Sequence, residues 1–274
     1  MKNPAVSIVM SVCNEKELVS RAIDSCLNQT FRDFELIIID DGSTDGTDLI
    51  LSAYKAMDDR VVIISQENKG LAVSLNLGVS LSRGEFIARM DGDDVSLPTR
   101  LQKQIEYLNL NPDIDVLGTA AYLRSREGED LGVVVKQQDH ESLVRLMHME
   151  SPFIHPSVVI RRDVIITAGG YSEKVLRAQD YELWSRLFKV CNFHNLQEPL
   201  LIYTVSGQLR VISILRAARV RLLVGWRIGR PVSAALRVVI NVLSGVLTVV
   251  GLRKSSEIRG KYRIQENSNT KYLK

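Results

Sequence analysis

The first 110 residues alternate between two hydrophobic rhythms. Val6–Val12, Phe34–Ile39, Val61–Ile64 and Glu85–Met90 are short, mostly apolar and rich in β-branched residues, so each predicts a buried strand. Between them, apolar positions recur at helical spacing. Glu15–Asn28 carries Leu18, Val19, Ala22, Ile23, Cys26 and Leu27, and Gly70–Leu81 carries Leu71, Leu75 and Val79 on one face. Another helix is expected after Asp40-Asp41-Gly42-Ser43, with Ser43 or Thr44 as its cap and Asp45 and Asp48 near its positive end. Pro98 is expected to open a fourth helix, where its missing N–H costs nothing. Strand–helix alternation of this kind predicts an α/β fold, a mostly parallel central sheet flanked by helices.

After Asn111-Pro112 the rhythm changes. Ile114–Leu123 and Leu131–Val135 read as strands around a turn at Glu127-Gly128-Glu129-Asp130; His140–Met149 reads as a helix, Pro156–Ile160 as a strand and Asp180–Lys189 as a helix. Residues 111–205 are therefore expected to extend the sheet begun by residues 1–110, the two halves making one domain over 1–205. A basic stretch with apolar runs follows at 206–256, then a polar tail at 257–274.

Charge separates these parts. Residues 199–274 hold 14 Lys and Arg against 2 acids, whereas residues 1–198 hold 21 basic and 30 acidic side chains. An acidic folded domain argues against nucleic acid as a partner. The basic part interleaves Arg216, Arg219, Arg227 and Arg230 with Ile212, Leu215, Leu222, Leu223 and Trp226. That pattern predicts helices lying on the anionic inner face of a cell membrane. Val232–Leu252 is long enough to span a bilayer, but Arg237 interrupts it, so surface attachment is the preferred expectation, with a single span or packing against the catalytic domain or a dimer partner as the alternatives. The three cysteines form no CxxC pair and no even framework, and the apolar run behind Met1 is too short for a signal peptide, so a cytoplasmic setting is expected.

Candidate chemistry lies just past the predicted strands, where open α/β sheets bind ligands. Asn14-Glu15, Asp40-Asp41 and Asp91-Gly92-Asp93-Asp94 all occupy such positions. The packed carboxylates of Asp91, Asp93 and Asp94 repel one another unless a cation sits between them, and hard oxygen ligands suit Mn²⁺ or Mg²⁺. An acidic loop capping the next helix fits the same residues. Asp40-Asp41 suits ribose or base N–H groups, and equally turn chemistry. Lys69 and Gly70, ahead of a helix, suit phosphate or a plain turn. Asp180, beside Tyr181 and Trp184, suits a general base or a helix cap. His155-Pro156-Ser157 reads first as a core or turn histidine, and Gly169-Gly170-Tyr171 as a turn.

Taken in order, Val6-Ser7-Ile8-Val9-Met10 with Asn14-Glu15, Asp40 through Thr47, Asn68-Lys69-Gly70, Gly84 through Asp94, His155-Pro156-Ser157 and Gln179 through Trp184 resemble the family 2 glycosyltransferases. The resemblance covers roughly residues 4–205. It implies a nucleotide-diphospho-sugar transferase (GT-A-like) fold, a nucleotide-diphospho-sugar donor with a UDP-sugar first, a divalent Mn²⁺ or Mg²⁺ ion, and inversion at the anomeric carbon. It implies that Asp41 contacts the nucleobase, with Asn14, Glu15, Asp40, Lys69, Gly70 and Arg89 completing the donor site. Asp91 and Asp93 match the Asp-X-Asp pair, Asp93 as the direct metal ligand, and Asp180 matches the catalytic base. A saccharide acceptor, lipid-linked as in surface polysaccharide assembly, is implied by the same analogy. The chain departs from the family at Gln179, where Glu is usual, and at Tyr203-Thr204-Val205-Ser206, where many relatives carry Arg-X-His. A sugar-1-phosphate nucleotidyltransferase and an inactive nucleotide-sugar-binding subunit are the competing expectations.

Overall fold

The structure, a computed structural model, describes residues 3–205 and 211–249, with side chains outside 211–216 and 243–249. The expected polar tail at 257–274 lies outside the described residues. The first half runs β1 (Val6–Val12), α1 (Val19–Leu27), β2 (Phe34–Asp41), α2 (Thr47–Met57), β3 (Val61–Gln66), α3 (Leu71–Leu81), β4 (Phe86–Asp91), β5 (Val95–Ser96) and α4 (Arg100–Leu110). The second half runs β6 (Val116–Ser125), β7 (Asp130–Val134), α5 (His140–Leu146), β8 (Val159–Arg161), α6 (Arg162–Thr167), α7 (Gln179–Leu187), β9 (Phe193–Val205), α8 (Val211–Arg227) and α9 (Pro231–Val249).

The nine strands of the described residues join one sheet in the order β3-β2-β1-β4-β8-β6-β9-β5, with β7 also paired to β6. The first four are parallel, as the alternation predicts. The second half adds antiparallel pairings at β4–β8, β6–β8, β6–β7 and β5–β9, so the sheet as a whole is mixed.

Both faces are covered, which is why the parallel strands are nearly continuous apolar runs. All eight residues of β2 are buried. Along β1, Val6, Ile8, Met10 and Val12 face a core shared with α1 and α4, while Val9 turns to the opposite core with α3 and α7. This period of two matches strand geometry. Each such fully buried side chain contributes about 1.5–3 kcal/mol of transfer free energy. On α3, Gly78 lies so close to β1 that a Cβ there would be 2.5 Å from Val9 Cγ1, so the helix packs directly on the middle of the strand.

Several local expectations are corrected. Neither Ser43 nor Thr44 caps α2. The chain turns at Gly46, whose φ of 95° favours glycine, and the helix begins at Thr47. Pro98 stays outside α4, its carbonyl accepting the Thr30 N–H at 2.8 Å. His155–Ser157 is a 3₁₀ turn rather than strand, and α1 starts at Val19, after an irregular loop from Cys13.

In the basic stretch, α8 packs on α7 and α9 folds back on α8. Arg227 donates to Glu182 Oε1 and Ser185 Oγ, both at 2.7 Å, fixing α8 to α7. Gly225 permits the close helix crossing, since a Cβ there would be 2.2 Å from the Cβ of Ala234. Among the described residues, no helix is long and apolar enough to cross a membrane.

Candidate active site

The parallel register brings the acidic clusters to one edge. Val12 pairs with Asp40 and Ser11 with Asp91, so β1, β2 and β4 end side by side. Beyond them opens a cleft of about 200 Å³ lined by residues that include Glu15, Asp41, Leu71, Asp91 and Asp93. Three clusters far apart in sequence thus share one site.

The loop after β1 is held to the loop after β2. Asn14 takes a left-handed backbone (φ 57°), which Asn tolerates. Its N–H donates to Ser43 Oγ at 3.0 Å, and its Oδ1 accepts from the Thr44 N–H at 2.8 Å. The Glu15 N–H donates to Thr47 Oγ1 at 3.0 Å. Asn14 is therefore an organiser of the cleft wall, and Glu15 is left with its carboxylate facing the cleft. Asp40 is buried and accepts from the Ser43 N–H at 3.1 Å.

Asp41 shapes the third loop. Its Oδ1 accepts from the Lys69 N–H and Gln66 Nε2, both at 2.8 Å, and its Oδ2 from the Gly70 N–H at 2.9 Å. Gly42 makes this possible: its φ is 76°, and a Cβ would be 2.8 Å from Asn68 N. Lys69 and Gly70 thus meet the site through backbone bonds to Asp41, and the Lys69 side chain is exposed.

The carboxylates of Asp91, Asp93 and Asp94 offer oxygens within 4.8 Å of one another. Burial, followed by the charges of Asp91 and Glu15, pushes the Asp93 carboxyl up to about 6. Asp94 is fully buried and is also pushed up, by burial and then by Asp91 and Asp93. Its Oδ1 accepts from the Thr204 N–H at 2.7 Å, while its Oδ2 has no partner among the described residues. Three hard oxygen donors, crowded at a cost and with one buried oxygen unpaired, fit a divalent cation of the Mn²⁺ or Mg²⁺ kind. Arg89 is buried behind this loop and contacts the Asp91 carboxylate and the Met90 carbonyl. Thr204, on β9, donates its hydroxyl to the Asp93 carbonyl at 2.5 Å. Thr204 thus holds the acidic loop in place.

Asp180 is not a cap. Ala178, with φ 59°, precedes α7, and Asp180 lies within its first turn, partly exposed. Its Oδ2 accepts from Ser151 Oγ at 3.3 Å. Burial pushes its carboxyl above the usual range, opposed by the Tyr181 N–H and Ser151, with the charge of Asp91 adding to the rise. His155 is a core histidine. Its Nε2 is 2.8 Å from Tyr171 Oη, and burial, then Arg89, holds it well below its usual pKa.

Two residues at the site escaped the sequence reading. Thr204 and Arg126, which pairs with Glu15, lie 110 and 111 residues from their partners Asp94 and Glu15.

Residues 7–166 match the family model described as glycosyl transferase family 2. The O-antigen biosynthesis glycosyltransferase WbnJ of Escherichia coli is 37% identical over 208 residues, an alignment covering 74% of this chain and 80% of that one. The amylovoran biosynthesis glycosyltransferase AmsE of Erwinia amylovora is 28% identical over 187 residues, covering 67% and 70%. Among solved structures, S. aureus TarS 1–349 in complex with UDP-GlcNAc superposes with a TM-score of 0.66 at 17% identity, covering 93% of this chain and 78% of that one. This chain spans 43% of the longer TarS chain. The mannosyltransferase PcManGT from Pyrobaculum calidifontis, in complex with GDP-Man and Mn²⁺, gives 0.61 at 15% identity, covering 94% and 83%. These two structures share the fold of this chain.

Proposed function

This chain belongs to glycosyl transferase family 2 and is a sugar transferase, and from that premise we propose that it moves a sugar from a nucleotide-diphospho-sugar, a UDP-sugar first, to a hydroxyl of a saccharide acceptor with inversion. The observation that carries this reading is the single cleft in which Glu15, Asp41, Asp91 and Asp93 converge beyond the strand ends. The ligands of the two solved relatives, UDP-GlcNAc and GDP-Man with Mn²⁺, support a nucleotide sugar as donor.

Asp41 and the loop it organises would receive the nucleoside, with Asp40, Asn14 and Glu15 forming the wall. Asp93, with Asp91, would hold the divalent cation. When bound, that cation offsets charge left on the departing diphosphate. Asp180 accepts the proton of the acceptor hydroxyl as its oxygen attacks the anomeric carbon and the bond to the diphosphate breaks. Its raised pKa brings its basicity nearer that of a working general base. The purified chain, screened with UDP- and GDP-sugars with and without Mn²⁺, should release nucleoside diphosphate from at least one donor in an Mn²⁺-dependent manner. Failure of every donor would overturn the reading.

The acceptor is assigned to the membrane surface, lipid-linked, on the strength of the α8–α9 pair. Leu222, Leu223, Trp226, Val232, Leu236 and Val239 are exposed there, beside exposed Arg219 and Arg230. Apolar side chains fringed by arginine suit an anionic bilayer. Because Arg227 bolts α8 to α7, that surface would sit on the helix that carries Asp180. The protein is expected to float with phosphatidylglycerol vesicles and not with phosphatidylcholine alone, and Trp226→Ser should reduce flotation. Equal behaviour on both vesicles contradicts the assignment.

A further inference from the structure

The cleft presents mostly negative charge to whatever enters it. Glu15, Asp41, Asp91 and Asp93 all line it. A nucleoside diphosphate brings negative charge of its own, so favourable binding needs cations close to the phosphates. Among the described residues, Arg89 and Arg126 touch lining carboxylates. Arg89 reaches Asp91 from the interior, where its side chain is 4% exposed and also held by the Met90 carbonyl.

Arg126 reaches Glu15 from a partly exposed position. It sits in the turn joining β6 to β7, closed by the Ser125 N–H donating to the Glu129 carbonyl at 2.8 Å and by the Gly128 N–H donating to the Ser125 carbonyl at 3.0 Å. Its Nη2 lies 2.5 Å from Glu15 Oε2, with the arginine side chain 41% exposed. The arginine end of this ion pair is open to solvent, so the guanidinium can swing to another anion. A guanidinium fork also matches phosphate oxygens two at a time.

We propose that Arg126 is a diphosphate-binding residue, carried to the cleft by the β6–β7 turn, that passes from Glu15 to the phosphates when a nucleoside diphosphate enters. The inference rests on the cleft being the donor site.

The test uses the full chain with Mn²⁺, titrated by ligand-observed NMR with UDP, GDP, uridine and guanosine. For the diphosphate that binds, Arg126→Ala should weaken affinity about tenfold or more, the size expected for a lost charge-assisted bond. Affinity for the matching nucleoside should stay unchanged, and Arg126→Lys should fall between. Unchanged diphosphate affinity in Arg126→Ala, or equal loss for nucleoside and diphosphate, would overturn the inference while leaving the donor site standing. If neither diphosphate binds the unaltered chain, the donor-site reading fails and takes this inference with it.

Discussion

Asp180→Asn should lower the turnover of sugar transfer by about 10²–10⁴-fold, the range expected for loss of a general base, while nucleotide affinity stays near that of the unaltered chain. Asn keeps the size of the side chain and can still accept from Ser151, so the start of α7 is preserved. What it cannot do is take a proton. The pH dependence sharpens the prediction. The base works ionised, so activity rises with pH through its pKa, and burial sets that pKa above the usual carboxylate value. The acid limb of kcat/KM should therefore lie above the ordinary Asp range and vanish in the variant. Stability gives an independent check. A carboxyl whose folded pKa is raised contributes most below its unfolded pKa, and that contribution is lost as pH rises through the folded pKa. At pH 7 the variant should thus melt no lower than the unaltered chain. A variant with full turnover would remove Asp180 from the mechanism.

The second large effect concerns Asp93. Asp93→Asn should lower kcat/KM by about 10³-fold, in keeping with several kcal/mol of charge stabilisation lost at the leaving group. In calorimetry, Mn²⁺ should no longer tighten nucleoside diphosphate binding to the variant. Protons compete with the metal for a carboxylate, and the Asp93 carboxyl sits at about 6. The Mn²⁺ concentration needed for half-maximal activity should therefore climb as pH falls below about 6 and level off above it. The folded apo protein also holds this proton more tightly than the unfolded chain, so relief of repulsion makes Asp93→Asn at least as stable as the parent at pH 7 without metal. Retained Mn²⁺ coupling in the variant would assign the cation elsewhere.

How far the sequence foretold the molecule depends on how local each signal is. The strands β1, β2 and β4 and the acidic residues that end them are each written within a few positions. The parallel alternation then dictates that their carboxyl ends meet. Strand β9 was harder to see, because Gln197-Glu198-Pro199 interrupts its apolar pattern. The ladder absorbs that proline through register shifts on either side of Ala120 of β6. The start of α7, one residue before the expected Asp180, carries little local signal for another reason. The turn depends on Ala178 adopting φ 59°, a conformation that tertiary packing imposes and that alanine does not advertise. Thr204 and Arg126 have no local signature, since each acquires its place only when the second half of the sheet folds against the first.

The most direct test of the account is a crystal structure of the full chain grown with UDP and Mn²⁺, recorded with anomalous scattering from manganese. The account predicts an anomalous peak at the carboxylate of Asp93, diphosphate beside it, and the nucleoside against Asp41 and the loop through Gly70. A nucleotide bound away from the cleft, or a manganese peak that avoids Asp93, would contradict it.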